Sequence, residues 1–309
     1  MTPSDIPPPG EHGGDGAAVA AALGIAPDAV LDLSASLNPF APDVAGLAAH
    51  HLDALGRYPD VDAAELLLAD GLDLPRDRVV LTAGGAQAIA LVADHLGAGH
   101  VDEPEFSLYR RHLPRLDAEA LPWRSDPHNP TGLLASSNEE GVWDEAFLAV
   151  SAGAWTRGRP GWVLGSLTKA FACPGLRLGY VVAPDPDAAD TLRQHRPAWA
   201  VGGLACALLP GLLDRADPAW WTRRIADARG ELTNLLGRHG FTALPSDAPW
   251  VLVPAARGLR DSLARHAVVV RDCASFELVD HVRIAVPNDS GLERLEEALT
   301  KGISAPPYR

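Results

Sequence analysis

The segment GSLTKAFACPGLRLGY (165–180) governs how the rest of the chain is read. It sets Lys169 among small and apolar residues, with Arg177 as its only charged companion. An ammonium avoids such surroundings, because removing its water costs several kcal/mol unless a partner or a chemical task compensates. Desolvation favours the neutral amine, which attacks carbonyl carbon to give a Schiff base. Composition sharpens the point. Among 26 Lys+Arg residues only Lys169 and Lys301 are lysines, so a chain that otherwise uses Arg has a lysine at 169.

Working outward, WVLGS (162–166) and LGYVVA (178–183) flank this lysine as strand candidates, and GVWDE (141–145) precedes them. Further upstream, the β-branched run RVVLT (78–82) leads into a glycine-led helix over 84–97 that Gly97 stops. A strand, a glycine turn and a helix start together aim backbone N–H groups at an anion. Helices are expected over 15–24 with Asp15 as its cap, over 61–72, over 186–196 and over 218–238. Strands near 268–271 and 281–286 and a helix over 291–301 form a smaller α+β end. Strands alternating with helices give an α/β fold whose sheet is mainly parallel.

The 309 residues carry a formal charge of −14, and 47% of them are hydrophobic. The chain therefore has material for a large core and no excess of positive charge for nucleic acid or an anionic membrane. Its start, MTPSDIPPPG, lacks the basic and apolar parts of a secretory signal. The uncharged stretch 197–213 is too short and too rich in Gly and Pro for a spanning helix and reads as buried. Cys173, Cys206 and Cys273 are far apart, with no CxxC pair, and read as reduced core thiols. A cytoplasmic protein without a metal site is the expectation.

SLTK followed by PGLRLGY resembles the cofactor-lysine segment of fold-type I pyridoxal-phosphate enzymes, the aspartate-aminotransferase superfamily. The resemblance implies a three-layer α/β large domain in which Lys169 forms the Schiff base while Ser166 and Arg177 bind the cofactor phosphate. It continues in order along the chain. TAGGAQA (82–88) resembles the phosphate-cradling turn, implicating Gly84, Gly85 and Ala86. EPEFSLY (103–109) supplies Phe106 as the ring that stacks on the pyridine, and DPHNPTG (126–132) supplies Asn129 for the phenolic oxygen. WDEAF (143–147) supplies Asp144 for the pyridine nitrogen, and RYPD (57–60) supplies Tyr58, which in this family reaches the neighbouring subunit of a homodimer.

The two ends are similar to the threonine-phosphate decarboxylase and CobC-like group of cobalamin biosynthesis. HGGDGAAVAAALGIAPDAVLDLSASLNPF (12–40) implies His12, Gly13 and Gly14 at a substrate phosphate and Asn38 at its carboxylate. VVVRDCASF…HVRIAV (268–286) implies Arg271 and Arg283 at the substrate's anionic groups. The implied domains are an N-terminal segment 1–33 capping the active site, a cofactor-binding large domain 34–196 and a small domain 197–309. The implied reaction is decarboxylation of L-threonine O-3-phosphate to (R)-1-amino-2-propanol O-2-phosphate. An aminotransferase acting on histidinol phosphate or another amino acid shares RYPD and much of the lysine segment, and a degenerate non-catalytic relative is the third reading.

Two departures from the family pattern stand out. The intervals 106–129 and 129–144 are short, so the large domain is expected to lack a strand or a covering helix and to have a partner subunit over the apolar surface left behind. Phe147 stands where many aminotransferases carry Tyr, which removes about 1 kcal/mol of hydrogen bonding to the cofactor.

Overall fold

The computed structural model describes residues 6–303. In chain order the elements are α1 (Gly16–Leu23), β1 (Leu31–Leu33), α2 (Val44–Ala49), α3 (Val61–Gly71), β2 (Val79–Thr82), α4 (Gly85–Leu96), α5 (Leu108–His112), β3 (Trp123–Ser125), β4 (Gly141–Asp144) and β5 (Gly161–Ser166). They continue with α6 (Leu167–Ala170), β6 (Gly179–Val182), α7 (Pro186–His195), α8 (Gly203–Leu213), α9 (Pro218–Arg238), β7 (Trp250–Val253), α10 (Leu259–Ala264), β8 (Val268–Asp272), β9 (Val282–Ala285) and α11 (Asp289–Ile303). Two compact units result, one of residues 40–129 and 134–222, the other of 6–39, 130–133 and 223–303.

The first unit is built on a five-stranded sheet in the order β2-β6-β5-β4-β3. β3, β4 and β5 are parallel, and β6 runs antiparallel between β5 and β2, so four of the five strands share one direction. One face presents Val80, Val142, Trp162, Leu164 and Val181 to Ile89 and Val92 of α4 and to Ala189 and Leu192 of α7. The alternate residues point the other way. Among them the Tyr180 hydroxyl donates to the Trp155 carbonyl at 3.0 Å, and Arg159 lies 4.0 Å over the Trp143 ring. The sheet is thus covered on both faces, an α/β arrangement. Helix ends follow local chemistry: Asp60 caps α3, Asp185 caps α7 with Pro186 behind it, and left-handed Gly97 closes α4.

The short intervals leave a trimmed edge. Beyond β3, pairing survives only as the isolated parallel bridges Gly99–Leu116 and His100–Pro122. Residues 132–139, between β3 and β4, carry no helix. Instead Arg159 pins this strand crossover by donating to the carbonyls of Ser137 (3.1 Å) and Ala135 (3.4 Å), and it pairs with buried Asp126 at 2.6 Å and Glu145 at 3.0 Å. The edge itself is closed by buried Tyr109, Leu113 and Trp123, with Leu116 exposed beside it. The exposed apolar side chains of this unit concentrate elsewhere, at Leu52, Leu55, Tyr58, Leu66, Leu67 and Trp199.

The second unit carries a four-stranded sheet in the order β1-β8-β9-β7. β1 pairs parallel with β8, Leu31 opposite Val268, so the N-terminal segment is an integral strand of this unit. The small unit was expected from 197. Instead α8 packs on α3 within the first unit, where a side chain at Gly71 would collide with Leu213, and the boundary falls at 222/223 inside α9. The Asp15 cap is also corrected. Its carboxylate accepts from Gly10 N, while Asp32 receives the N–H of Gly16 at the start of α1.

Among the described residues no helix is long and apolar enough to cross a membrane, and no cluster of His, Cys, Asp and Glu suits a metal ion. The three cysteines are free, and burial pushes each thiol up to about 11.

Candidate active site

The motif residues of the first unit meet at the carboxyl ends of its parallel strands, where open α/β sheets place ligands. Gly84 and Gly85 follow β2, Asn129 follows β3, Asp144 ends β4, and Ser166 ends β5 with Lys169 one helical turn later. Arg177 stands two residues before β6, whose reversed direction brings its amino end to the same edge.

Three of these elements form an anion cradle. Gly84 has φ of +81°, and a Cβ there would lie 2.7 Å from the Arg177 guanidinium, so only glycine lets the chain turn this tightly beneath that arginine. A Cβ on Gly85 would lie 3.9 Å from that of Ser166. Neither Gly84 nor Ser166 makes a side-chain cap to the helix it precedes, which leaves the first N–H groups of twelve-residue α4, Ala86 included, available to an anion. Arg177 itself is exposed. Helix N–H groups, a hydroxyl and a guanidinium are the donor set that a phosphate monoester requires.

Around the lysine, the Lys169 amine lies 5.5 Å from the centre of the Phe147 ring. Burial pushes the Asp144 carboxyl up, against the Ala146 N–H, the Tyr109 hydroxyl and the Lys169 charge, which pull it down. Asn129 is buried, its N–H donating to Ser125 Oγ at 2.8 Å, and Phe106 packs edge-on against Tyr109 with ring centres 5.8 Å apart. Tyr58 is 79% exposed and packs at a tilt against Trp199, itself 59% exposed, with ring centres 4.6 Å apart. The sequence reading missed Tyr109, Ser125 and Glu105, all gathered behind Asp144 and Asn129. Tyr109 lies three residues after Phe106, the spacing that puts two residues on one helical face. Glu105 and Ser125 carry no comparable signal, Glu105 being one of three acidic residues in 102–105.

The second unit gathers the other expected residues. Gly13 leaves no room for a side chain, since a Cβ would lie 2.2 Å from the Ser34 carbonyl. Gly14 N donates to Ser34 Oγ, and Ser34 in turn donates to Asp32, so the 12–14 turn is fixed to the end of β1. His12 is half-buried and Asn38 buried. Arg271 and Arg283 stand directly opposite each other on β8 and β9. Arg271 donates to the carbonyls of Gly10 and Glu11 and to Ser275 Oγ, which holds the approach to the turn. Arg283 lies 5.0 Å over the Trp250 ring, and burial pushes it down to about 10, with the Arg271 charge adding to the effect. Two buried cations in one cross-strand pair repel each other and favour an anion beside them.

Known proteins correspond to this arrangement. Residues 124–299 match the model of the family described as Aminotransferase class I and II. The threonine-phosphate decarboxylase of Salmonella typhimurium is 30% identical over 354 residues, covering 93% of this chain and 95% of its own. The histidinol-phosphate aminotransferase of Symbiobacterium thermophilum is 28% identical, with coverage of 89% and 91%. In structure, the histidinol-phosphate aminotransferase of Sinorhizobium meliloti in complex with pyridoxal-5'-phosphate superposes with a TM-score of 0.79 at 18% identity, covering 93% of this chain and 94% of that one. The phosphate cradle, the lysine and the carboxylate all suit that cofactor, and the chain belongs to the class I and II aminotransferase family of pyridoxal-phosphate-dependent enzymes.

Proposed function

We propose that the protein decarboxylates L-threonine O-3-phosphate to (R)-1-amino-2-propanol O-2-phosphate, a step of cobalamin biosynthesis. The observation that carries this reading is the buried arginine pair, Arg271 opposite Arg283, in the same unit as the His12–Gly14 turn. A substrate bearing both a carboxylate and a phosphate answers two such cations. The full-length similarity to a threonine-phosphate decarboxylase supports the same choice.

Bound pyridoxal phosphate supplies an electron sink for the bond broken at the substrate's α-carbon. The chain's own groups do the rest. Gly84, Gly85, Ala86, Ser166 and Arg177 would hold the phosphate, Asn129 would donate to the phenolic oxygen, and Phe106 would stack on the ring. Asp144 keeps a proton on the ring nitrogen. Lys169 would hold the cofactor through its amine and is the group to return a proton to the substrate's α-carbon. Arg283, Arg271 and Asn38 orient the carboxylate and phosphate, with His12 and Gly13 contributing from the turn. The orientation of the carboxylate selects decarboxylation over transamination.

The exposed patch around Tyr58 and Trp199 supports a homodimer in which Tyr58 reaches the neighbouring subunit's cofactor, and the enzyme is placed in the cytoplasm. An active monomer by light scattering would refute the dimer. Release of labelled carbon dioxide from carboxyl-labelled threonine phosphate tests the reaction. Keto-acid formation from histidinol phosphate, without such release, would establish the aminotransferase instead.

A further inference from the structure

A chain of polar groups runs behind the site, wholly inside the first unit. Glu105, 4% exposed, accepts the Ser125 N–H on Oε1 at 2.9 Å, and its Oε2 lies 2.6 Å from Ser125 Oγ. Ser125 Oγ takes the Asn129 N–H at 2.8 Å and also meets the Tyr109 hydroxyl. The Tyr109 hydroxyl lies 2.9 Å from Asp144 Oδ2. Sheet register fixes this assembly, because Ser125 on β3 is the partner of Asp144 on β4.

Counting protons orders the chain. If Glu105 is neutral, its O–H donates to Ser125 Oγ, the serine hydroxyl donates to Tyr109, and the phenol donates to Asp144. Every hydroxyl then has one donor use and its acceptors filled. If Glu105 is ionised, the serine proton must turn back toward it, the phenol loses its donor, and a second carboxylate faces Asp144 in a dry cluster. We propose that Glu105 is a positioning residue whose carboxylic acid orients the Ser125–Tyr109 hydrogen bonds onto Asp144 and fixes the backbone at Asn129.

The surroundings agree. Burial, with the Asp144 charge adding, pushes Glu105 up to about 8 against hydrogen bonds from Ser125 and Phe106. Among the described residues no Lys or Arg is paired with Glu105. His128 has Nε2 4.0 Å from Oε1, but that nitrogen lies 2.8 Å from the Pro104 carbonyl, and burial lowers the pKa of the ring. Glu103, which accepts the Glu105 N–H, is paired with Arg110, and Lys169 acts on Asp144. Polar networks of this kind are strong when every member is satisfied and costly when one is not.

This inference rests on Asp144 serving the cofactor's ring nitrogen, and the test separates the two. Infrared spectroscopy of wild type should show a carboxylic-acid band, lost in Glu105→Gln, that disappears with a midpoint near the value of about 8. The visible absorption of the bound cofactor should shift across the same midpoint. Glu105→Gln, whose amide still donates to Ser125, should keep the low-pH spectrum throughout. Ser125→Ala should retain the carboxyl titration and lose the coupled spectral shift. A wild-type-like spectral transition in Glu105→Gln, or a Glu105 already ionised at about pH 6, overturns the proposal. Absence of any cofactor band in wild type overturns the cofactor role of Asp144 instead. Should Glu105→Gln fail to fold, the wild-type midpoint and Ser125→Ala decide the question.

Discussion

The Tyr109 hydroxyl donates to Asp144 Oδ2 at 2.9 Å, while the other carboxylate oxygen takes the Ala146 N–H at 3.0 Å. These two donors and the Lys169 charge favour the ionised carboxylate, against the larger effect of burial, which raises its pKa. A hydrogen bond to a charged group is worth about 1.5–3 kcal/mol. Tyr109→Phe should therefore raise the cofactor dissociation constant roughly 10- to 100-fold, read by fluorescence titration of the apoprotein. Unchanged affinity would show that the phenol does no more than pack.

Lys169→Arg keeps the charge and loses the nucleophilic amine. Borohydride reduction of wild type should leave the cofactor's mass on the peptide containing Lys169, and the variant should show none. Turnover should fall by at least about 100-fold, the lower end for losing a positioned proton-transfer group.

Arg159 holds Asp126 and Glu145 together in the trimmed crossover. Arg159→Met takes the closest cation from two buried carboxylates, leaving Asp126 with Arg157 at 3.4 Å and Glu145 with the Arg157 N–H, a change that costs about 3 kcal/mol. The melting temperature should drop on the order of 10 °C in scanning calorimetry. A loss within a degree or two would mean that the crossover does not depend on this arginine.

Arg283→Gln removes one member of the buried pair opposite Arg271. The Michaelis constant for the phosphorylated substrate should rise at least about tenfold, as losing a charge-assisted contact implies. The cofactor spectrum should be unaltered. A variant with wild-type kinetics would remove Arg283 from the substrate-binding set.

Glu105 also makes stability depend on pH. Its folded pKa, about 8, lies above the ordinary 4.5, so the folded state holds the proton more tightly. Stability is then greatest below the ordinary value and falls as pH rises from 4.5 toward 8, where the loss is complete. The slope from this group is at most about 1.4 kcal/mol per pH unit. Glu105→Gln should flatten that portion of a urea-denaturation series, and an unchanged slope would contradict a raised carboxyl.

The residues expected at the cofactor share one edge of the first sheet, and each was legible from local sequence. A glycine turn before a helix, a serine one turn before a lysine and a carboxylate closing a strand are each set by neighbouring residues. Glu105, Ser125 and Tyr109 were not legible as a group, since what unites them is the β3–β4 register and the docking of α5, neither marked by a motif. The short 106–144 region was legible as a deletion. Its closure was not, because the pairing of Arg159 with Asp126 bridges distant positions through a buried contact that no spacing announces.

By itself the sequence determined the family and the main strands and helices around Lys169, since these follow from contiguous motifs and hydrophobic periodicity, while the short elements β1, α2, α5, β7 and α10 carry no such signal. Tertiary structure decided the membership of the ends. β1 joins β8 and makes the His12–Gly14 turn part of the arginine-bearing unit, while α8 belongs with α3. It also decided which polar groups share charge. Pairing between remote segments depends on how strands align and which apolar faces meet, and that alignment is settled by the burial of the whole chain.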